Sequence, residues 1–314
     1  MSEIKFINGR ELLEKGLSEM PALIEPILPK VGLAAVTGSS DTGKSSFLRH
    51  LALAIVLGDE EFLGFRINST HQSVVYVATE DDEDATAVLI NRAYQANLDY
   101  HNYEGLRFLF ETENLIRVLD QELSNRPADC VIIDTYTDIF EGNMNASNEV
   151  RTFLTKYKEL AQRHGCLVIF LHHTGKRTEH LLPSKDNALG SQGFESKMRV
   201  LIEIRRDFND DINRHLCIVK GNYLPEEYKN RSYKLEFNDK LQFTSTGQRV
   251  RFEELAKPEF RGAQDNKKSE YIKKALALKE EGKSYREISN EITQLGYKVS
   301  RSTVGNWLDN VNRN

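Results

Sequence analysis

Gly38-Ser39-Ser40-Asp41-Thr42-Gly43-Lys44-Ser45 decides the reading of this chain. The stretch fits GxxxxGK[ST] without a mismatch, follows the apolar run Leu33–Thr37 and opens a helical pattern over Ser46–Leu57. A glycine-rich loop between a strand and a helix is the physical form of a phosphate cradle. Gly38 and Gly43 let the backbone pass close to a phosphate with its N–H groups turned inward. The helix behind adds its positive N-terminal end. The spacing predicts that residues 38–46 (Gly38, Ser39, Ser40, Asp41, Thr42, Gly43, Lys44, Ser45 and Ser46) bind nucleotide phosphates. Lys44 reaches the β and γ phosphates and Ser45 holds Mg²⁺.

Outward from this loop, short apolar runs alternate with amphipathic stretches. The runs are Leu33–Thr37, Ser73–Thr79, Leu106–Phe110, Cys130–Asp134, Cys166–Leu171, Val200–Ile204 and His215–Val219. Several are apolar at consecutive positions, as strands covered on both faces are. Helical patterns lie between them at Asp84–Gln95, Asn114–Asn125 and Asn148–His164. This order predicts an α/β fold, a mostly parallel sheet with helices on both faces. After about residue 200 strands follow one another without helices, ending near Phe243, which predicts an antiparallel extension at the C-terminal edge. Residues 1–30 read as an N-terminal arm in which Pro21, Pro26 and Pro29 prevent a long helix. The α/β domain is expected over 31–256, a linker over 257–268 and a small all-α domain over 269–314.

Polar residues at strand ends supply the candidate chemistry. Asp134 closes an apolar strand, where a carboxylate can hold Mg²⁺ together with Ser45. Glu80 follows the run ending in Ala78-Thr79 and is the candidate for polarising an attacking water. Asp81–Asp84 suit the start of the next helix. His172 and His173 are adjacent on a strand and so point to opposite faces, which argues against one shared metal ion. His172 is the candidate sensor of the γ-phosphate.

The ordered set GSSDTGKS, VVYVATED, CVIIDT, VIFLHHTGK and LGSQGFESKMRVLIEI resembles the RecA-type ATPases of the RepA helicase group, the AAA_25 family. The resemblance spans about residues 20–245. It implies a RecA-like P-loop NTPase core, ATP and Mg²⁺ as cofactors, and ring-shaped homo-oligomers, usually hexamers, with ATP between subunits. It makes Lys44 the loop lysine, Ser45 and Asp134 the metal ligands, Glu80 the catalytic carboxylate and His172 the sensor. It places Lys176, Arg177 and Lys185 on a loop, 174–189, that contacts single-stranded DNA. A residue acting in trans is also implied, with Arg199, Arg205, Arg206 and Lys220 as candidates. The related Lys-x-Arg pair reads Lys220-Gly221-Asn222 here, so its arginine is missing.

The last segment carries three helical patterns, Ser269–Glu281, Tyr285–Leu295 and one beginning at Ser300. Ser284 and Glu287 have the spacing of a capping box. Val304 and Trp307 are expected in the core of this segment. SYREISNEITQLGYKVSRSTVGNWL, residues 284–308, resembles helix-turn-helix domains of resolvases and transcription regulators. That resemblance implies duplex DNA binding through the third helix, by Arg301, Ser302, Thr303 and Asn306, with Lys298 on phosphates.

Composition limits the alternatives. The chain has 314 residues, with 42 Lys+Arg against 47 Asp+Glu and a net charge of -5. A uniformly basic coat for nucleic acid is therefore excluded. Residues 265–314 nevertheless hold ten Lys+Arg and seven Asp+Glu, a local +3 within a remainder of -8. Any DNA contact is expected to be local. Cys130, Cys166 and Cys217 each sit beside an apolar run and read as buried thiols of a reducing compartment. No apolar run approaches the roughly 20 residues that span a bilayer, so the expected location is cytoplasmic. The expected function is a DNA-associated, ATP-hydrolysing motor: a helicase or replication ATPase of a plasmid, phage or integrative element. An ATP-switched DNA regulator or loader that does not unwind is the alternative.

Overall fold

The computed structural model describes residues 6–93, 100–175, 178–190, 192–256, 270–295, 297 and 299–311. Two compact units divide the chain, Met1–Leu255 and Ala256–Asn314.

The first unit opens with two short strands that pair with each other, β1 (Ala22–Ile24) and β2 (Leu28–Pro29). A second short pair is β4 (Glu61–Phe62) with β5 (Phe65–Arg66). The other nine strands form one sheet: β3 (Gly32–Gly38), β6 (Val74–Ala78), β7 (Leu106–Leu109), β8 (Cys130–Asp134), β9 (Leu167–His173), β10 (Val200–Arg206), β11 (Asn213–Gly221), β12 (Arg231–Phe237) and β13 (Phe243–Arg251). Their order is β13-β12-β11-β10-β3-β9-β8-β6-β7. The six strands from β10 to β7 pair in parallel. β10 through β13 are joined antiparallel. The antiparallel extension is therefore present and runs on to Arg251, past the expected end near Phe243.

Alternate residues of each central strand enter two separate cores. Ala34 and Val36 of β3, Cys130 and Ile132 of β8, and Ile169 and Leu171 of β9 pack with helix α2 (Lys44–Leu57). Leu33, Ala35, Val131, Ile133, Val168 and Phe170 pack with α4 (Leu115–Asn125) and α6 (Ser147–His164). Two shorter helices, α5 (Tyr136–Ile139) and α7 (Gln192–Lys197), give Tyr136 and Phe194 to the same core. A parallel strand buried on both faces has no polar side to show, which is why these runs are apolar at every position. The same alternation decides where each strand-end side chain points.

α2 starts two residues before the expected Ser46, and it is apolar nearly all round because the sheet and smaller elements enclose it. The pair β1 and β2 is among those elements, with Leu23, Ile24, Ile27 and Leu28 buried in the α2-side core. Much of the expected arm is thus structural, while the preceding helix α1 (Gly9–Leu13) buries none of its residues. α3 (Glu83–Ala93) follows β6, with the Asp82 carboxylate accepting from the Ala85 amide at 2.8 Å. The three cysteines are free and buried. No helix among the described residues is long and apolar enough to cross a membrane.

The second unit contains α8 (residues 270–280), α9 (Tyr285–Gln294) and α10 (Arg301–Val311). Ala275, Leu278, Ile288, Ile292, Val299, Val304, Trp307 and Leu308 form its core. The capping box is made: the Glu287 amide donates to Ser284 Oγ and the Ser284 amide donates to the Glu287 carboxylate. Leu295, expected on the apolar side of α9, is exposed.

Candidate functional site

Gly43 enters α2 in the left-handed region at φ +86°, where a side chain would be strained, and no side chain caps the helix. The first-turn N–H groups therefore stay without a side-chain partner at the positive end of the dipole. The loop's carbonyls are spoken for. Ser39 O accepts from Lys44 Nζ at 2.7 Å and from Thr42 Oγ1 at 3.0 Å. Asp41 O accepts from both Arg206 Nε and Nη2, and Thr42 O from Arg214 Nε. Phe237 and Phe243 lie against Gly43 from the antiparallel extension. The loop is held by its carbonyls and its flank, which leaves the amides free to serve an anion.

Lys44 is buried, and desolvation pulls its pKa below the usual lysine value, with Asp134, Glu80 and Asp41 pulling the other way. Asp134 is buried too, and desolvation raises its pKa against hydrogen bonds from Tyr76 and Ser45. The Tyr76 hydroxyl donates to Asp134 Oδ2 at 2.6 Å. The other oxygen, Oδ1, is buried with no protein partner. An orphaned carboxylate oxygen beside the Ser45 hydroxyl fits a hard cation such as Mg²⁺.

Glu80 is exposed on a cleft of about 520 Å³ that it shares with Ser40, Gly43, Lys44, Ser45 and His173. Its pKa is raised by partial desolvation first, then by Asp134, Asp138 and Asp81, with Lys44 opposing. Asp81 is bound at 3.1 Å by Arg49 of α2.

His172 does not reach this cleft. It continues the alternation of Val168 and Phe170, lies against Tyr136 and Phe194, and donates from Nε2 to Leu189 O at 2.7 Å. His173, on the face of Leu171 and α2, lines the cleft instead. The expectation of His172 at the phosphate is corrected by one residue.

Arg205 is likewise removed from the residues available in trans. It is buried, paired with Glu203 at 3.2 Å, and donates to Leu181 O and Thr178 O. Glu203 accepts from the Ser184 amide and from Asn187 Nδ2. This buried pair ties the 178–187 stretch down from inside, a role signalled in the sequence only by charges within an apolar strand. Arg206, on the α2 face, is half exposed and bound to the phosphate loop of its own chain. Arg199 and Lys220 lie at the other end of β10 and β11. Arg199 donates to the Tyr223 hydroxyl, and Lys220 pairs with Glu195 at 2.9 Å. Lys185 is half exposed and 3.3 Å from Glu195. Lys176, Arg177 and Lys298, the linker 257–268 and the Asn306 side chain lie outside the described residues. At the start of α10, Arg301 and Ser302 are exposed, and the Thr303 amide donates to Ser300 Oγ at 3.1 Å.

Two buried imidazoles give a pH dependence of stability. Burial pushes the pKa of His50 and of His172 down to about 4. His50 Nδ1 accepts from the Phe243 amide, a bond that needs the neutral ring. The unfolded chain takes up protons near pH 6.5 that the folded chain refuses until about pH 4, so this stability is present above 6.5 and lost as the pH falls. Each ring contributes up to about 1.4 kcal/mol per pH unit in that window. The expected result is a melting temperature that falls from pH 6.5 to 4.5, with a shallower slope in His50→Gln. Identical slopes in the two proteins would remove His50 from this account.

A phosphate loop at the end of a central parallel strand, with an acid on each of two neighbouring strands, defines a RecA-like P-loop NTPase. The chain belongs to the AAA_25 family, described as an AAA domain, whose profile matches residues 8–179, more than half of its length. No curated protein matches it. Among solved structures it is similar to the ATPase domain of a helicase, with 13% identity and a TM-score of 0.54, over 75% of this chain and 95% of that one. At that identity the likeness is one of fold.

Proposed function

We propose that this chain hydrolyses ATP with Mg²⁺ and is a DNA-associated RecA-like motor, a ring-forming helicase or replication ATPase directed to duplex DNA by its C-terminal helices. The observation that carries the reading is the single cleft in which Lys44, Ser45 and Glu80 meet, with the unpartnered oxygen of Asp134 behind Ser45. Ser45 and Asp134 would hold Mg²⁺, which when bound neutralises charge on the phosphate oxygens. Lys44 binds the β and γ phosphates, and the first-turn amides orient them. Glu80 takes the proton of the water that attacks the γ phosphorus. His173, in place of His172, faces the γ-phosphate.

In a head-to-tail ring, the end of one copy that bears Arg199 and Lys220 meets the phosphate-loop end of the next. Heterologous contacts of this kind close into rings when the rotation allows. Exposed Arg301 and Ser302 at the N-terminus of α10 support groove contact by that helix. Lys185, together with Lys176 and Arg177, is assigned to single-stranded DNA.

ATP turnover of the full chain, measured alone, with single-stranded DNA and with duplex, tests the reading. Stimulation by single strands is the expected result. Turnover indifferent to DNA, with duplex binding retained, would replace the motor by an ATP-switched DNA regulator.

A further inference from the structure

The phosphate loop occupies the middle of the 520 Å³ cleft, and its acids come from one side. Glu80 and Asp134 follow β6 and β8, on one side of β3 in the sheet, whereas Phe237 ends β12, on the other. Phe237 and Leu241 line the same cleft beside Gly43 and Ser46. They belong to the hairpin between β12 and β13, an element that the chemistry above does not use.

This hairpin is built to hold those two side chains in place. Phe237 is half-buried, stacked on Phe243 with ring centres 4.6 Å apart. Leu241 adopts φ +60°, a conformation that leucine avoids. The turn around it is over-determined. Asn238 O accepts from the Leu241 amide at 2.9 Å, and Asn238 Oδ1 accepts from the Lys240 and Gln242 amides. Arg92 of α3 donates to Asp239 O, and His50 of α2 accepts from the Phe243 amide. Backbone strain held by bonds from two helices persists only where the surroundings enforce it. Here it presents a half-exposed branched apolar side chain to a nucleotide-sized cleft.

We propose that this hairpin is the nucleobase site: with the phosphates in the loop, the base packs against the exposed edge of Phe237 and against Leu241. The assignment rests on the phosphate-loop reading and extends it to the substrate's other end. Phe237 and Leu241 bring apolar surface to this part of the lining, and Ser46 of α2 brings a small hydroxyl. The base is therefore recognised by apolar area more than by a pattern of hydrogen bonds. An apolar site of this kind separates ligands of similar shape weakly. ATP and GTP are expected to bind with similar affinity.

Calorimetric titration of the full chain with ATP, GTP and inorganic tripolyphosphate tests the site. Truncating an aromatic that a base packs on is expected to weaken binding by about ten- to hundredfold. Phe237→Ala should weaken ATP and GTP by that factor and leave tripolyphosphate unchanged. Phe237→Leu should recover part of the loss, and Leu241→Ala should act in the same direction as Phe237→Ala. Equal losses for ATP and tripolyphosphate would overturn the proposal, because Phe237 would then act by supporting Gly43. Unchanged ATP affinity in both alanine variants would overturn it as well, and so would a hundredfold preference between ATP and GTP. Should the wild type bind neither ATP nor tripolyphosphate, the phosphate-loop reading itself falls and takes this site with it.

Discussion

Replacing Glu80 by glutamine is expected to lower ATP turnover by about 10²–10⁴-fold, the range that a positioned general base contributes, while ATP affinity stays within a few-fold. The side chain follows the central strand β6 and stands on the cleft wall, exposed, with Lys44 and Ser45 in the same cavity. Partial desolvation and the nearby charges of Asp134, Asp138 and Asp81 raise its pKa above the ordinary glutamate value, and Lys44 restrains the shift. A carboxylate tuned upward holds a proton better than a free one, which is what a base beside an attacking water requires. Glutamine keeps the volume and can still accept a hydrogen bond, but it cannot take the proton. Removing a negative charge near Asp134 does not weaken the hold on an anionic nucleotide. Phosphate release and calorimetric ATP titration on one preparation separate the two effects. Unchanged turnover would take the role from Glu80. Equal losses in turnover and affinity would recast it as a binding residue. The upward shift also sets a sign: the acid limb of turnover should lie above the usual glutamate range in the wild type.

The division between what was legible in the sequence and what was not follows the physics of two-sided strands. The loop 38–45, Asp134 and Glu80 could be read directly, because each sits at a strand end marked by the change from apolar to polar residues. His172 could not be placed this way. A strand buried on both faces shows no polar stripe, so neither of two adjacent histidines is marked as facing the nucleotide. The choice became determinate once α2 was seen to cover the face of Leu171, and that face carries His173. The same alternation separates Arg205 from Arg206. Residues 201, 203 and 205 turn away from α2, and Arg205 goes with buried Glu203, whereas Arg206 reaches Asp41. Tyr76, Arg214, Phe237 and Leu241 carried no local signal at all. Their partners are 58 residues away for Tyr76 and 172 for Arg214, so only the sheet order brings them to the loop.

Gly38→Ala should weaken nucleotide binding and lower the melting temperature together, for a reason unrelated to backbone freedom. Gly38 does not sit in the left-handed region. It ends β3, wedged between β9 and β10: it pairs with His173, and its carbonyl accepts from the Thr174 amide. A Cβ there would lie far inside contact distance of Ile204 O and 3.0 Å from Thr42 Oγ1. The first of these atoms is main chain, and it cannot rotate aside. Either β10 moves off β3, or the start of the phosphate loop lifts and carries the Lys44–Ser39 bond with it. Overpacking of this kind costs about 1–3 kcal/mol, and contact with a backbone oxygen argues for the upper part of that range. Where that cost falls on the loop, ATP affinity should drop by about ten- to hundredfold; where it falls on the sheet, the melting temperature should drop by roughly 2–4 °C for each kcal/mol. Gly175→Ala is the matched control, since its nearest contact would be Thr178 Cγ2 at an ordinary 3.5 Å, and both quantities should stay near wild type. Should Gly38→Ala bind ATP as the wild type does, with an unchanged melting temperature, then β10 yields without cost, and the close packing of β10 on the phosphate loop is not what holds the loop in shape.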